Sequence, residues 1–348
     1  MPGPLYIPVL PVRAHAASAF GKLDAETADR TVPLWTLPEI GGGARQPADT
    51  VKKALRRIVR VQQRRAAWLD TPFTALDHDP YEELLRYCWS ATPLLPVADP
   101  ARPRSHQALA AECAAAAGGG LGVRIRVPGA FRDELTAHTQ DLLVRVGVGV
   151  PVDLLLDLQA VLPTRPDAAK EAIRALDELV PLAAWRTVAL LSGGFPDEAG
   201  RVLDRGRGVA ARTDWHTWCE LRTSERSYAR SVRYGDYGTL AARNLTRPVE
   251  GSERSRYGLL RYTTERAFLL ASFLVEGRGE TGATRAAARW VTESSGYRGT
   301  RTSEGDRWYA ECALTTGAAG TGNPTTWNTM GNIQHMTFVV QSLSRGGR

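Results

Sequence analysis

The chain has little lysine. Four of its 44 basic residues are Lys (Lys22, Lys52, Lys53 and Lys170), and the other forty are Arg. No stretch approaches the roughly 18 consecutive apolar residues of a spanning helix, which excludes a membrane-crossing segment of that kind. Cysteine is sparse. Cys88, Cys113, Cys219 and Cys312 sit at neither metal-ligand nor redox spacing, which argues against a zinc module or a disulfide framework. Unpaired thiols of this kind point to a reducing compartment, hence the cytoplasm. Familiar catalytic signatures are missing as well. There is no G-x-G-x-x-G after the first strand, no P-loop, no G-x-S-x-G elbow and no H-E-x-x-H. The opening MPGPLYIPVLPVRAHAASAF is broken by four prolines and has no basic stretch ahead of an apolar run, so it reads as structure rather than a signal peptide.

What is present is an ordinary globular mixture. With 348 residues, 43% hydrophobic and 23% charged, the chain can bury one large core or two smaller ones, and global disorder is excluded. The net charge of +7 has two readings. Abundant Arg, Ala and Gly suggest genome composition; the other reading is an anionic partner, nucleic acid or phosphate, which Arg contacts two-pronged. The densest basic run, KKALRRIVRVQQRR (52–65), has helical spacing with Leu55, Ile58, Val59 and Gln62 on one face. Such a run is commonly a solvated helix face; its alternative is a phosphate-contacting surface.

Short apolar segments alternate with helical ones. Strands are expected at 5–13, 31–39, 71–79, 92–100, 121–129, 150–161 and 185–194, with an eighth at 231–239. Helices are expected between them, among them 16–30, 49–67 and FPDEAGRVLDR after the seventh strand. Units of about 30 residues with nearly all-apolar strands predict a parallel (β/α)8 TIM-barrel-like domain over 1–245. An open doubly wound sheet is the alternative. The pattern then changes to a hairpin within 255–277 and amphipathic segments, a C-terminal α+β subdomain over 246–348 packed on the barrel.

In a parallel barrel, ligands meet residues at the C-terminal strand ends. Those ends supply Arg13, Asp77, Asp79, Arg126, Asp157, Ser192, Gly193 and Asp236. In VRIRV, Arg124 and Arg126 share a face, as do Asp153, Asp157 and Gln159 in VDLLLDLQ. Facing inward, they would form either an ion-pair network that closes the barrel or an anion-binding floor. The cluster LDHDP offers Asp77, His78 and Asp79, although a turn or helix cap explains it more simply. Ser192, Gly193 and Gly194 in SGGFP could bind phosphate at a helix start. His216 and His335 are single histidines, and Trp215, Trp218, Trp308 and Trp327 suit packing or base stacking. The catalytic candidates are Asp77, Asp79, Asp157, Asp236 and His335; no metal and no cofactor is expected.

An ordered set of motifs runs the length of the chain: YIPVLPVRAH…VPLWTLPEI, SGGFP, RTDWHTW (212–218), YGDYG (234–238), LRYT (260–263), SEGDRWYAECA (303–313) and TTWNTMGNIQHMTFVV. Together these resemble the phage-type beta protein family. The resemblance implies a barrel-like strand–helix architecture and a setting of phage–host conflict, without a named activity. Relatives often carry paired histidines near the end, where this chain has Gln334 and His335, which argues against a two-histidine site. Two functions follow as expectations. One is a binding module with a protein, a nuclease or nucleic acid as partner. The other is a barrel enzyme acting on a phosphorylated or nucleic-acid substrate through its Asp, Arg and His rim.

Overall fold

The computed structural model describes residues 5–37, 47–63, 65–72, 86–87, 89–90, 93–246, 257–275, 281–314 and 320–346. Its strands are β1 (Tyr6–Pro11), β2 (Leu34–Thr36), β3 (Ala67–Asp70), β4 (Leu94–Ala98), β5 (Leu121–Arg126), β6 (Val152–Ala160), β7 (Thr187–Gly193), β8 (Leu203–Asp204), β9 (Arg207–Ala211), β10 (Arg233–Asp236), β11 (Tyr257–Thr263) and β12 (Ala267–Leu274). The helices are α1 (Ala14–Gly21), α2 (Ala25–Asp29), α3 (Pro47–Gln62), α4 (Arg104–Ala117), α5 (Glu134–Val146), α6 (Ala168–Leu179), α7 (Thr213–Thr223), α8 (Gly282–Thr292), α9 (Glu304–Ala313) and α10 (Pro324–Gly346).

Strands β1 to β7 and β10 close a parallel barrel in the order β1-β10-β7-β6-β5-β4-β3-β2. Strand β1 pairs with β10 on one side, Tyr6 opposite Tyr234, and with β2 on the other, Leu10 opposite Trp35. This closure establishes the (β/α)8 TIM-barrel-like fold and excludes the open doubly wound sheet.

The period of two sorts each strand into an inner and an outer face. On β6, Leu154, Leu156 and Leu158 join the core under the helices, while Leu155 joins Ile7, Val9, Leu34, Trp68, Val97 and Leu191 inside the barrel. Gly122 makes room for the interior indole: a Cβ there would lie 2.8 Å from Trp68 Cδ1. At the N-terminal end the interior is closed by charge. Asp153 accepts from Trp68 Nε1 at 3.0 Å and from Arg186 Nε at 2.9 Å.

Three local expectations are corrected. The helix expected over 16–30 is two helices, because Asp24 accepts the amide of Thr27 at 2.8 Å and starts α2 afresh. The third strand lies at Ala67–Asp70 rather than 71–79, since α3 already ends at Gln62 and Gln63 takes a left-handed φ of 53°; from 73 onward that expected strand lies outside the described residues. The helix expected after SGGFP is a 3-10 turn (Ala199–Val202) followed by the β8–β9 hairpin. Arg205 and Gly206 both have positive φ, 46° and 78°, the geometry of a tight primed hairpin turn.

Strand β9 then pairs with β12, giving a second sheet in the order β11-β12-β9-β8. The 23-residue α10 lies over β11, α1 and β1, and one apolar core runs from the barrel's outer face into this layer.

Candidate functional site

The C-terminal mouth of the barrel has a floor of paired charges. Arg124 of β5 donates to Asp157 Oδ2 of β6 through Nε at 2.9 Å and Nη2 at 2.6 Å. Its Nη1 donates to Asp70 Oδ2 of β3 at 2.5 Å, and Arg102 holds the other Asp70 oxygen. The Tyr237 hydroxyl, just past β10, contacts both Asp157 oxygens at 2.8 Å and accepts from Arg124 Nη2 at 3.0 Å. The amide of Gln159 donates to Asp157 Oδ1 at 2.8 Å, where β6 breaks register and Gln159 takes a positive φ. Asp70, Arg124 and Asp157 are buried. Burial raises the Asp70 pKa, but Arg102 and Arg124 outweigh it and hold the carboxyl well below its usual range. Burial lowers the Arg124 pKa, and Asp157, Tyr237 and Asp70 more than restore it.

Above this floor is a cavity of about 190 Å³. Among the described residues, Arg124, Arg126 and Arg243 line it with one carboxylate, Asp70, and Gln159 and Tyr237 complete its polar wall. Arg126 Nη2 lies 3.2 Å from Asp99 Oδ2, yet its buried Nε has no hydrogen-bond partner. Arg243, 43% exposed, donates to the Asp197 carbonyl at 2.7 Å. Tyr237 and Leu245, on either side of the 3-10 turn Ala242–Asn244, pack into the barrel's interior cluster. The interior is therefore plugged, and the cavity is a shallow cup on top of it.

Asp236 and His335 do meet, but elsewhere. Asp236 and Tyr237 are consecutive and point to opposite sides of the barrel wall. Asp236 faces outward beneath α10, where His335 Nε2 lies 2.9 Å from its Oδ2. The Tyr6 hydroxyl donates to Asp236 Oδ1 at 2.5 Å, and Thr263 Oγ1 lies 2.8 Å from His335 Nδ1. Tyr234 contacts both Asp236, at 2.8 Å, and Asp214. Burial raises Asp236, but His335 prevails and lowers it to about 2, whereas burial raises Asp214. One phenolic proton cannot serve two carboxylates at once, and burial disfavours the charged form of Asp214. The Arg212 guanidinium, also buried, lies 5.0 Å from the Trp215 ring and 5.5 Å from that of Phe338. Among the described contacts this network joins barrel, α7, α10 and the second sheet, and no member opens on the mouth.

The SGGFP turn has a packing explanation. A Cβ on Gly194 would lie 2.0 Å from Asp214 Oδ1, and one on Gly193 would lie 3.2 Å from Ala242 Cβ. Ser192 Oγ is buried without a partner, and no α-helix begins after the turn to supply a phosphate-binding N-terminus. Arg13 follows β1 and does not line the cavity; burial lowers its pKa. Asp77 and Asp79 lie outside the described residues. Among the described residues no three His, Cys, Asp or Glu side chains converge as metal ligands. Trp215, Trp218, Trp308 and Trp327 pack into or against the apolar core.

Sequence reasoning missed Asp70, Arg102 and Tyr237. Strand parity within YGDYG, which turns Tyr237 inward if Asp236 is outward, was the available signal for the tyrosine. A larger open groove of about 930 Å³ lies between α2, α9 and α10, far from the strand ends and bridged by Lys22–Glu304 at 2.6 Å. No helix among the described residues is long and apolar enough to cross a membrane.

No curated protein and no solved structure matches the chain. The family model described as Beta protein matches residues 6–341, nearly its whole length. With the closed barrel this agrees with the ordered motifs from YIPVLPVRAH to the last helix: the chain belongs to the Beta protein family.

Proposed function

We propose that the protein is a binding module whose barrel mouth receives one phosphate-like group carried by a partner or ligand. The observation that carries this reading is the cup itself: Arg126, whose buried Nε has no hydrogen-bond partner, and the half-exposed Arg243 line it above a floor in which Arg124 is already neutralised by Asp70 and Asp157. Binding is favoured over catalysis because Asp70 and Asp157 are each engaged by arginine, and those guanidiniums hold the Asp70 carboxyl well below its usual range. The volume of about 190 Å³ is smaller than the roughly 300–1,000 Å³ of sites that enclose a whole drug-sized ligand. It suits a single anionic group entering from outside. Four cysteines at neither metal-ligand nor redox spacing suit action in the cytoplasm. The setting we propose, phage–host conflict, rests on the family likeness alone.

Titration calorimetry with inorganic phosphate, pyrophosphate and nucleoside mono-, di- and triphosphates tests the reading. Phosphate-bearing ligands should bind, and Arg126→Gln with Arg243→Gln should weaken them at least about tenfold, the loss of one charge-assisted contact. No heat with any of these ligands, or equal binding by the double variant, overturns it. Phage plating on hosts carrying the parent or the double variant tests the setting separately.

A further inference from the structure

Several exposed arginines stand beside a carboxylate, Arg174 beside Asp133, Arg201 beside Glu198, Arg226 beside Asp177 and Arg307 beside Glu311, while others, such as Arg104, Arg132 and Arg301, stand singly without an ion pair among the described residues. The outer face of α3 differs in gathering such cations on one helix. Lys53, Arg56, Arg57 and Arg60 are exposed, and none has an ion-pair partner among the described residues. At 100° per residue these four fall within an arc of about 100°, opposite the buried Val51, Leu55, Ile58 and Gln62. Eight residues of helix carry them over about 10 Å. The only carboxylate on α3, Asp49, is in the first turn and bridges to none of the four. Like charges three and four residues apart repel, and among the described residues no ion pair relieves that repulsion.

We propose that this face of α3 binds the phosphate backbone of nucleic acid, without reading sequence. Four unneutralised cations along one helix complement a polyanion whose charges repeat along a line. A bilayer surface is the weaker match. An interfacial helix inserts its apolar face, and the apolar face of α3 is already buried against the barrel. Carbon–base contacts and groove-reading side chains are not part of the stripe, so affinity is electrostatic. This surface is separate from the mouth and does not rest on the reading given for it.

The test is fluorescence anisotropy of the full chain with labelled mixed-sequence duplex DNA and with single-stranded RNA of equal length. Four phosphate contacts predict a log–log salt slope of about −3.6 on the duplex, which is an affinity loss of about 150-fold between 50 and 200 mM salt. The variant Lys53→Gln, Arg56→Gln, Arg57→Gln and Arg60→Gln should lose binding at the low-salt end and flatten the slope. All four positions are exposed, so its thermal melt should match the parent's. A second variant removes the same net charge elsewhere, through Arg174→Gln, Arg201→Gln, Arg226→Gln and Arg307→Gln, and should bind as the parent does. The duplex and RNA arms tell which nucleic acid is held more tightly. The proposal is overturned if the parent binds neither at low salt, if the α3 variant binds as the parent does, or if the second variant loses as much. Displacement of the nucleic acid by phosphatidylserine vesicles through the same four residues would also overturn it, in favour of a membrane surface.

Discussion

Arg124 holds Asp157 across the top of the barrel through two hydrogen bonds, of 2.9 and 2.6 Å, to a single carboxylate oxygen. The same guanidinium reaches Asp70 on the far side, so one cation serves two buried carboxylates from different strands. Removing it leaves Asp157 with only Tyr237 and an amide. Arg124→Met should therefore lower stability by about 3–5 kcal/mol, the usual consequence of leaving a buried charge without its partner. Urea unfolding measures this. Adding Asp157→Asn should recover part of the loss, since the uncompensated charge is then gone; a double variant no better than Arg124→Met would place the main cost at Asp70.

Two histidines set an acid limb. Burial, then Arg13 and Arg261, lowers His15 to about 4; burial, then Arg102, lowers His106 to about 4. The unfolded chain titrates near 6.5. Between these values the unfolded state binds more protons, so stability falls as pH drops from about 6.5 towards 4, by up to about 3 kcal/mol for each group. Above pH 6.5 neither contributes any pH dependence. Urea midpoints at pH 7 and pH 5 should differ in the parent, and His15→Gln with His106→Gln should shrink the difference. Asp236, lowered to about 2, adds a second loss: its contribution is full above about pH 4 and disappears as pH falls through 2.

Gly194 is required by Asp214, not by a ligand. A methyl group there would sit 2.0 Å from Asp214 Oδ1 and 3.0 Å from the Asp214 amide nitrogen, on a residue whose carboxyl is fully buried. Gly194→Ala should cost at least about 1–3 kcal/mol, as overpacking does. Gly200→Ala, at a position with nothing within 4 Å, should cost almost nothing. Thermal melts of the two variants separate this steric reading from a general intolerance of the segment.

The barrel was legible because its strands are locally complete statements. LGVRIRV and VDLLLDLQ each show apolar runs, parity and a flanking turn, and Arg124 meets Asp157 on the adjacent unit only 33 residues later. Asp70 was hidden because AWLD directly follows the basic helix and extends its apolar pattern, so the strand was expected a few residues too late. The β8–β9 hairpin was hidden because DEAGRVLDR has good helix formers, and only its pairing with β12 decides for strand. Asp236 and His335 are 99 residues apart, and no local pattern says that α10 brings them together. Long-range contacts of that kind belong to packing, which a single sequence does not display.

The last prediction concerns the C-terminal layer. Trp327, Ile333, Met336, Val339, Val340 and Leu343 of α10 are all buried in the main core, and β12 supplies the partner of β9. Each large side chain contributes roughly 1.5–3 kcal/mol on burial, and six of them together match the roughly 5–15 kcal/mol of a whole domain. Removal would also expose Tyr6 and Tyr234, and leave Asp236 without His335. A chain ending at residue 246 should therefore aggregate on expression, or melt without a cooperative transition. Size-exclusion chromatography and a thermal scan read the outcome. A monomer with a sharp transition would show that the barrel folds alone, and that α10 and the second sheet cover it without holding it together.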